Sequence, residues 1–213
     1  MSFHVICFDC DSTLSKIEGI DELAGRVGLG KEMAKLTDAA MNGLLPLEAV
    51  YEKRLSVLRP DLESIRWLAD LYIAEVVDGA LEVFASLTAE GKEVHIISGG
   101  IRQAILPLAA FLGLPENHVH AVELYFNDDG SYRDFDKTSP LSRTGGKGEV
   151  CRQLLKPHGP LLMIGDGQTD MEARQQGVTV FCFGGVIERP LVREMADQFI
   201  AGPSLTSLLT HIS

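Results

Sequence analysis

Hydrophobic and polar positions alternate along the chain in two rhythms. Short apolar runs rich in β-branched residues, "HVICF" (4–8), "EVHIIS" (93–98), "LLMIG" (161–165) and "VTVFCF" (178–183), are separated by stretches whose apolar residues return every three or four positions. The runs predict strands buried on both faces, and the longer periodicity predicts helices. Strands alternating with helices build βαβ units, so the predicted class is α/β: a doubly wound parallel sheet covered on both sides. "GALEVFASLTAEG" (79–91) predicts a helix stopped by Gly91, and "IRQAILPLAAFLG" (101–113) another, kinked at Pro107 and stopped by Gly113. "AVELYFNDDGSYRDF" (121–135) alternates around "NDDG", which predicts a β-hairpin.

From residue 16 to about 75 the alternation stops. Four helical patterns follow without a strand between them: "GIDELAGRVG", "KEMAKLTDAAMNG", "PLEAVYEKRLSVL" with Pro46 at its start, and "DLESIRWLADLYIAE". The predicted organisation is a core of residues 1–15 and 76–213 with a small helical cap of residues 16–75 inserted after the first strand. "STLSK" and "VVDGA" are the expected hinges.

Composition narrows the partners. The chain has 213 residues, with 19 Lys plus Arg against 30 Asp plus Glu, and its formal charge of -11 comes from scattered acids. Nucleic acid is therefore not an expected partner. No stretch approaches the ~18 apolar residues of a membrane span and no basic segment leads into a cleavable apolar run, so no membrane partner is expected and the expected compartment is the cytoplasm. Cys7, Cys10, Cys151 and Cys182 complete no disulfide or zinc pattern and read as reduced, buried thiols.

Ligands of open parallel sheets bind at the carboxyl ends of the strands, so the residues just after each predicted strand carry the chemistry. These are Asp9 and Asp11 after the first, Ser98, Gly99 and Gly100 after the second, and Gly165, Asp166, Gly167, Thr169 and Asp170 after "LLMI"; "TGGKGEV" adds Lys147 at a helix start. Each has a plain alternative. Asp9 and Asp11 could be turn formers, Ser98 a helix N-cap and Lys147 a solvated helix lysine. Two like charges about 4 Å apart repel by roughly 4 kcal/mol at an effective dielectric near 20, however, so Asp9 and Asp11 together ask for a cation. "GDGQTD" is not a dinucleotide loop, because Asp170 fills the third glycine position. "TGGKGE" is not a P-loop, because Leu141 and Gly148 replace the first glycine and the closing Ser or Thr. The economical use of the whole set is phosphate-monoester chemistry. Mg²⁺ offsets the acids, one carboxylate attacks phosphorus, and Ser98, the Gly99 amide and Lys147 stabilise charge on the equatorial oxygens.

These residues resemble the haloacid dehalogenase superfamily. "FDCDSTL" is similar to its DxDx[TV] motif, "ISGG" to its hydroxyl motif, "GGKGEV" to its lysine motif and "MIGDGQTDMEA" to its acidic motif, in the right order. "EGIDELA", "AAMNGLLPLEAVYEKRLSVL" and "NDDGSYRDFDKTSP" resemble the cap and hairpin of the branch that hydrolyses phosphoserine. The resemblance implies Asp9 as nucleophile and Asp11 as general acid and base. It implies Mg²⁺ held by the Asp9 carboxylate, the Asp11 carbonyl and Asp166, with Asp170 steadying the metal's waters or Lys147. It puts Glu18 on a substrate ammonium, Arg54 on its carboxylate, and Met41 and Leu47 in an apolar lid. Leu47 stands where many members carry Phe, Thr169 where some carry Asn, and Gly100 and Arg189 lie near the active edge. The implied reaction is hydrolysis of O-phospho-L-serine to L-serine and phosphate, in serine biosynthesis, by a monomer or homodimer. Transfer to homoserine and hydrolysis of another small monoester are the alternatives.

Overall fold

The computed structural model describes residues 3–212. Its main sheet contains β1 (Val5–Phe8), β2 (Glu93–Ile101), β3 (Val119–Val122), β6 (Leu161–Gly165), β7 (Thr179–Phe183) and β8 (Gln198–Ile200), in the order β3-β2-β1-β6-β7-β8. All neighbouring pairs are parallel. The chain leaves β1 toward β2 and β3, then returns to the other side of β1 for β6, β7 and β8. That reversal opens a crevice at the carboxyl ends of β1, β2 and β6. Every residue of β1 and of β6 is buried, as their unbroken apolar runs require. A separate antiparallel hairpin pairs β4 (Leu124–Phe126) with β5 (Tyr132–Phe135).

Between β1 and β2 lie α1 (Gly19–Arg26), α2 (Gly30–Met41), α3 (Leu47–Leu58) and α4 (Leu62–Ala74). Asp61 caps α4 by accepting from the Ser64 N–H at 2.8 Å, and Pro46 precedes α3, where its missing donor is no loss. The buried apolar cluster runs from the sheet into these helices through Leu23, Met33, Val50, Leu55, Ile65 and Leu68. The two passages between sheet and helices run side by side. The Lys16 N–H donates to Glu75 O at 2.8 Å, and the Val77 N–H to Leu14 O at 2.9 Å. The remaining helices include α5 (Ala80–Ala89), α6 (Arg102–Phe111), α7 (Gly146–His158), α8 (Gln168–Met171) and α9 (Pro190–Met195).

Several sequence expectations are corrected. β3 and β8 extend the sheet at its two edges; at four and three residues, they are too short to establish a period. Ala121 and Val122, predicted in the hairpin, belong to β3. β2 runs on through Ser98, Gly99 and Gly100 to Ile101, so Ile101 and not Ser98 precedes α6 as its N-cap residue. Pro107 lies within α6. All four cysteines are free and buried, as expected. Among the described residues no helix is long and apolar enough to cross a membrane.

Candidate active site

The crevice collects charge. Asp9 follows β1 directly and Lys147 stands in the first turn of α7, where its Nζ lies 2.8 Å from Asp9 Oδ1 and 2.7 Å from Asp170 Oδ1. Asp9 Oδ1 also accepts from the Cys10 N–H at 2.7 Å. Asp170 Oδ2 accepts from the Gly167 N–H at 3.0 Å. Gly165 makes room for this arrangement, because a Cβ there would overlap the Asp170 carboxyl group. Asp166 accepts from Arg189 Nε at 3.1 Å and from the Thr13 hydroxyl at 3.4 Å.

Asp9, Asp166 and Asp170 are all buried and present carboxylate oxygens within 4.8 Å of one another. Burial pushes Asp170 up to about 7 even though Lys147 opposes the shift. Asp166 is raised by burial and by Asp9 and Asp170, against the pull of Arg189. Burial works against the Lys147 charge, but Asp170 and Asp9 outweigh it and hold the ammonium above the usual lysine range. Buried acids that resist ionisation lack positive charge, and an all-oxygen donor set suits a hard divalent cation.

Asp11 is held differently from Asp9. Its Oδ1 accepts from the Gly19 N–H and from the Tyr72 hydroxyl, each at 2.7 Å. Burial, then the Asp9 charge, raises it to about 6 despite those two donors. Ser12, in the left-handed region with φ 52°, turns the chain sharply between the two acids and the helices that follow. Across the crevice the Ser98 Oγ accepts from the Gly100 N–H at 3.0 Å, which leaves its own proton to donate to a ligand.

One pocket unites these groups with the inserted helices. Asp9, Asp11, Ser98, Gly99, Gly100, Lys147 and Thr169 line it from the sheet side, and Glu18, Met41, Leu47 and Arg54 from the helical side. Asp166 and Asp170 do not line it; they are buried at 2 % and 0 % exposure behind Asp9 and Lys147. Glu18 accepts from the Ser12 hydroxyl at 2.7 Å, and burial followed by Asp11 and Asp166 raises it. Arg54 is 6 % exposed. Its Nη1 donates to Thr37 at 3.3 Å, while its Nε has no hydrogen-bond partner among the described residues. Thr169 Oγ1 lies 4.0 Å from the Met41 sulfur, and the Leu47 N–H donates to the Thr144 hydroxyl at 3.1 Å.

Three contributors have no signal in the sequence. Tyr72 holds Asp11, Thr37 joins Arg54 to Asp21 by donating at 2.7 Å, and Tyr51 donates to Gly99 O at 3.0 Å. All three read as ordinary positions of amphipathic helices. Arg189 does more than lie near the edge: besides Asp166 it reaches Asp38 at 3.3 Å and Glu18 at 3.9 Å, so one core arginine touches two acids of the helical insert.

Residues 3–177 match the family of haloacid dehalogenase-like hydrolases. A chloroplastic phosphoserine phosphatase of Arabidopsis thaliana is 39% identical over 203 residues, covering 93% of this chain and 69% of the relative. The Homo sapiens phosphoserine phosphatase is 35% identical over 201 residues, covering 93% of this chain and 89% of the relative. A solved structure of a phospho-aspartyl intermediate analogue of phosphoserine phosphatase superposes with a TM-score of 0.84 at 30% identity, covering 100% of both chains. Chain-long identity at this level, joined to a buried Asp–Lys–Asp arrangement at the carboxyl edge of a parallel sheet, means that the chain belongs to the haloacid dehalogenase-like hydrolases, on the branch of the phosphoserine phosphatases.

Proposed function

We propose that this hydrolase cleaves O-phospho-L-serine to L-serine and phosphate, with Asp9 as the nucleophile and Mg²⁺ as the metal. The observation that carries the substrate assignment is Arg54. A guanidinium 6 % exposed, with an Nε lacking a partner among the described residues, faces the same pocket as the acids of the reaction. Burying a charge with an unmet donor is costly unless a ligand anion completes it. A substrate carboxylate fits that requirement in bidentate geometry, and the Glu18 carboxylate on the same wall suits its ammonium. Met41 and Leu47 supply the apolar surface around the short carbon chain.

Asp9 attacks phosphorus in line, forming an acyl phosphate as the bond from phosphorus to the serine oxygen breaks. Asp11, raised to about 6 and therefore able to carry a proton near neutrality, gives that proton to the departing oxygen. In the second step Asp11 takes a proton from water as the water oxygen attacks phosphorus, which releases phosphate and restores Asp9. General acid–base help of this kind is worth about 10² to 10⁴ in rate. Lys147, the Ser98 hydroxyl and the Gly99 amide meet the equatorial oxygens. The Asp9 and Asp166 carboxylates with the Asp11 carbonyl would hold Mg²⁺, which supplies positive charge against the phosphate dianion. Asp170, whose oxygens accept from Lys147 Nζ and the Gly167 N–H, would fix Lys147 and steady the metal's waters.

The helices of residues 16–75 act as a cap that opens on the paired passages at Ser15 and Val76 and closes to exclude water. Steady-state kinetics on O-phospho-L-serine and p-nitrophenyl phosphate, with Mg²⁺ and with chelator, test the assignment. A large kcat/KM preference for phosphoserine, abolished by chelator, supports it, and equal rates on both esters would refute it.

A further inference from the structure

We propose that Glu93, His95 and His118 form a second metal site, for a zinc-class transition-metal dication, at the far end of β2 from the active site. Glu93 opens β2 beside Val5, and Ser98 lies five residues on, about 16 Å at ~3.3 Å per residue. The site lies between β2 and His118, the residue just before the edge strand β3. One ligand atom each from Glu93, His95 and His118 lies within 4.8 Å of the others. Two imidazoles and one carboxylate favour zinc, nickel or copper over magnesium, which prefers oxygen alone.

The surroundings of both histidines have the organisation that metal ligands need. His118 Nδ1 stands 2.9 Å from Val94 O. A carbonyl only accepts, so this nitrogen carries the proton and Nε2 keeps its lone pair. His95 Nδ1 stands 3.1 Å from His120 Nε2, and its Nε2 stands 3.0 Å from Glu93 Oε1. In the metal-free protein His95 Nε2 donates to the Glu93 carboxylate and Nδ1 accepts from His120 Nε2; a metal bound at Nε2 moves that proton to Nδ1, where it is donated to His120, whose own proton shifts to its Nδ1. Each ligand ring thus has its other nitrogen held by a backbone carbonyl or a neighbouring ring, the support that orients histidines around metals. The His95 and His118 rings are stacked with centroids 4.3 Å apart. Tetrahedral ligands at ~2.0 Å from zinc lie about 3.3 Å apart; Glu93 Oε1 and His95 Nε2 already stand 3.0 Å apart, and His118, with a ring nitrogen within 4.8 Å of both, is the group that has to approach. A tilt of His118 about its Val94 bond and a turn of the Glu93 side chain, which is 31% exposed, supply that motion. His95, 3% exposed, is the fixed point.

The test is equilibrium dialysis of the full-length protein against Zn²⁺ in excess Mg²⁺, repeated in an Asp166→Asn background to keep the acidic cluster apart. Co²⁺ absorption reports the ligand set independently. A single tightly held equivalent in both proteins, weakened at least tenfold by His118→Gln and by Glu93→Gln while Mg²⁺-dependent turnover stays unchanged, is the expected result. No retained Zn²⁺, or retention equal in these variants and the parent, would overturn the site.

Discussion

Asp11 accepts from the Gly19 N–H and the Tyr72 hydroxyl on the same oxygen, and that double grip aims its other oxygen. A Cβ placed on Gly100 would lie 3.0 Å from that second oxygen, Oδ2, and 3.1 Å from Ser98 Oγ, so both point at one small space. Tyr72→Phe removes one donor to a charged acceptor, a loss of about 1.5–3 kcal/mol, and is expected to lower kcat by roughly tenfold or more with KM nearly unchanged. A change in KM with kcat preserved would give Tyr72 to packing. Arg54→Ala is expected to raise KM for phosphoserine by about a hundredfold and hardly alter p-nitrophenyl phosphate, with Arg54→Lys intermediate because an ammonium lacks the planar fork. Equal losses on both esters would make Arg54 structural. These two residues mark what the sequence can and cannot express. Arg54 and Glu18 were legible only through resemblance, since a helix arginine and a first-turn acid are commonplace. Tyr72 was not legible at all, because its hydroxyl meets Asp11 across 61 residues of chain.

At the scale of elements, the end of β1 and the start of α1 are locked by a single small residue. A Cβ on Gly19 would overlap the Tyr72 hydroxyl, and α4 cannot retreat without exposing Leu68 and Ile65. Gly19→Ala is therefore expected to destabilise the fold by about 1–3 kcal/mol and to cut activity further than stability alone explains. Thermal unfolding and kcat, measured together, check this; wild-type values in both would show that the contact yields freely. The central strands were readable because both faces of β1 and β6 are buried and their runs are continuous. The edge strand β3, with His118 before it and His120 within it, has no such run, so pairing rather than pattern makes it a strand. Ser98 similarly lies within β2 rather than just after it, because the strand continues through Gly99 and Gly100 to Ile101.

For the whole molecule, the acids gathered at the sheet edge link stability to metal and pH. Asp11 at about 6 and Asp170 at about 7 stand above an ordinary value of 3.8 because the fold buries them. Their folded forms bind protons more tightly than the unfolded chain, so without metal the stability associated with them is lost as pH rises from about 4 through about 7. Chelated protein is expected to melt at a higher temperature near pH ~5 than near pH ~8, and Mg²⁺ is expected to raise the melting temperature most at the higher pH. A metal effect independent of pH would place the ion elsewhere. The overall architecture was legible because the motifs follow parallel strands in order. The bridge from Arg189 to Asp38 and Glu18 was not, because it joins side chains far apart in the chain, 151 residues for Arg189 and Asp38.

The central claim is a covalent phosphoryl group on Asp9. Protein mixed with phosphoserine and Mg²⁺, quenched in acid within the first turnover and reduced with borohydride, converts an aspartyl phosphate to homoserine. Homoserine is expected at position 9, detected by peptide mass, and is expected to be absent from Asp9→Asn, whose turnover falls by on the order of 10⁴-fold or more. Turnover with no modification at position 9, or undiminished activity in Asp9→Asn, would contradict it.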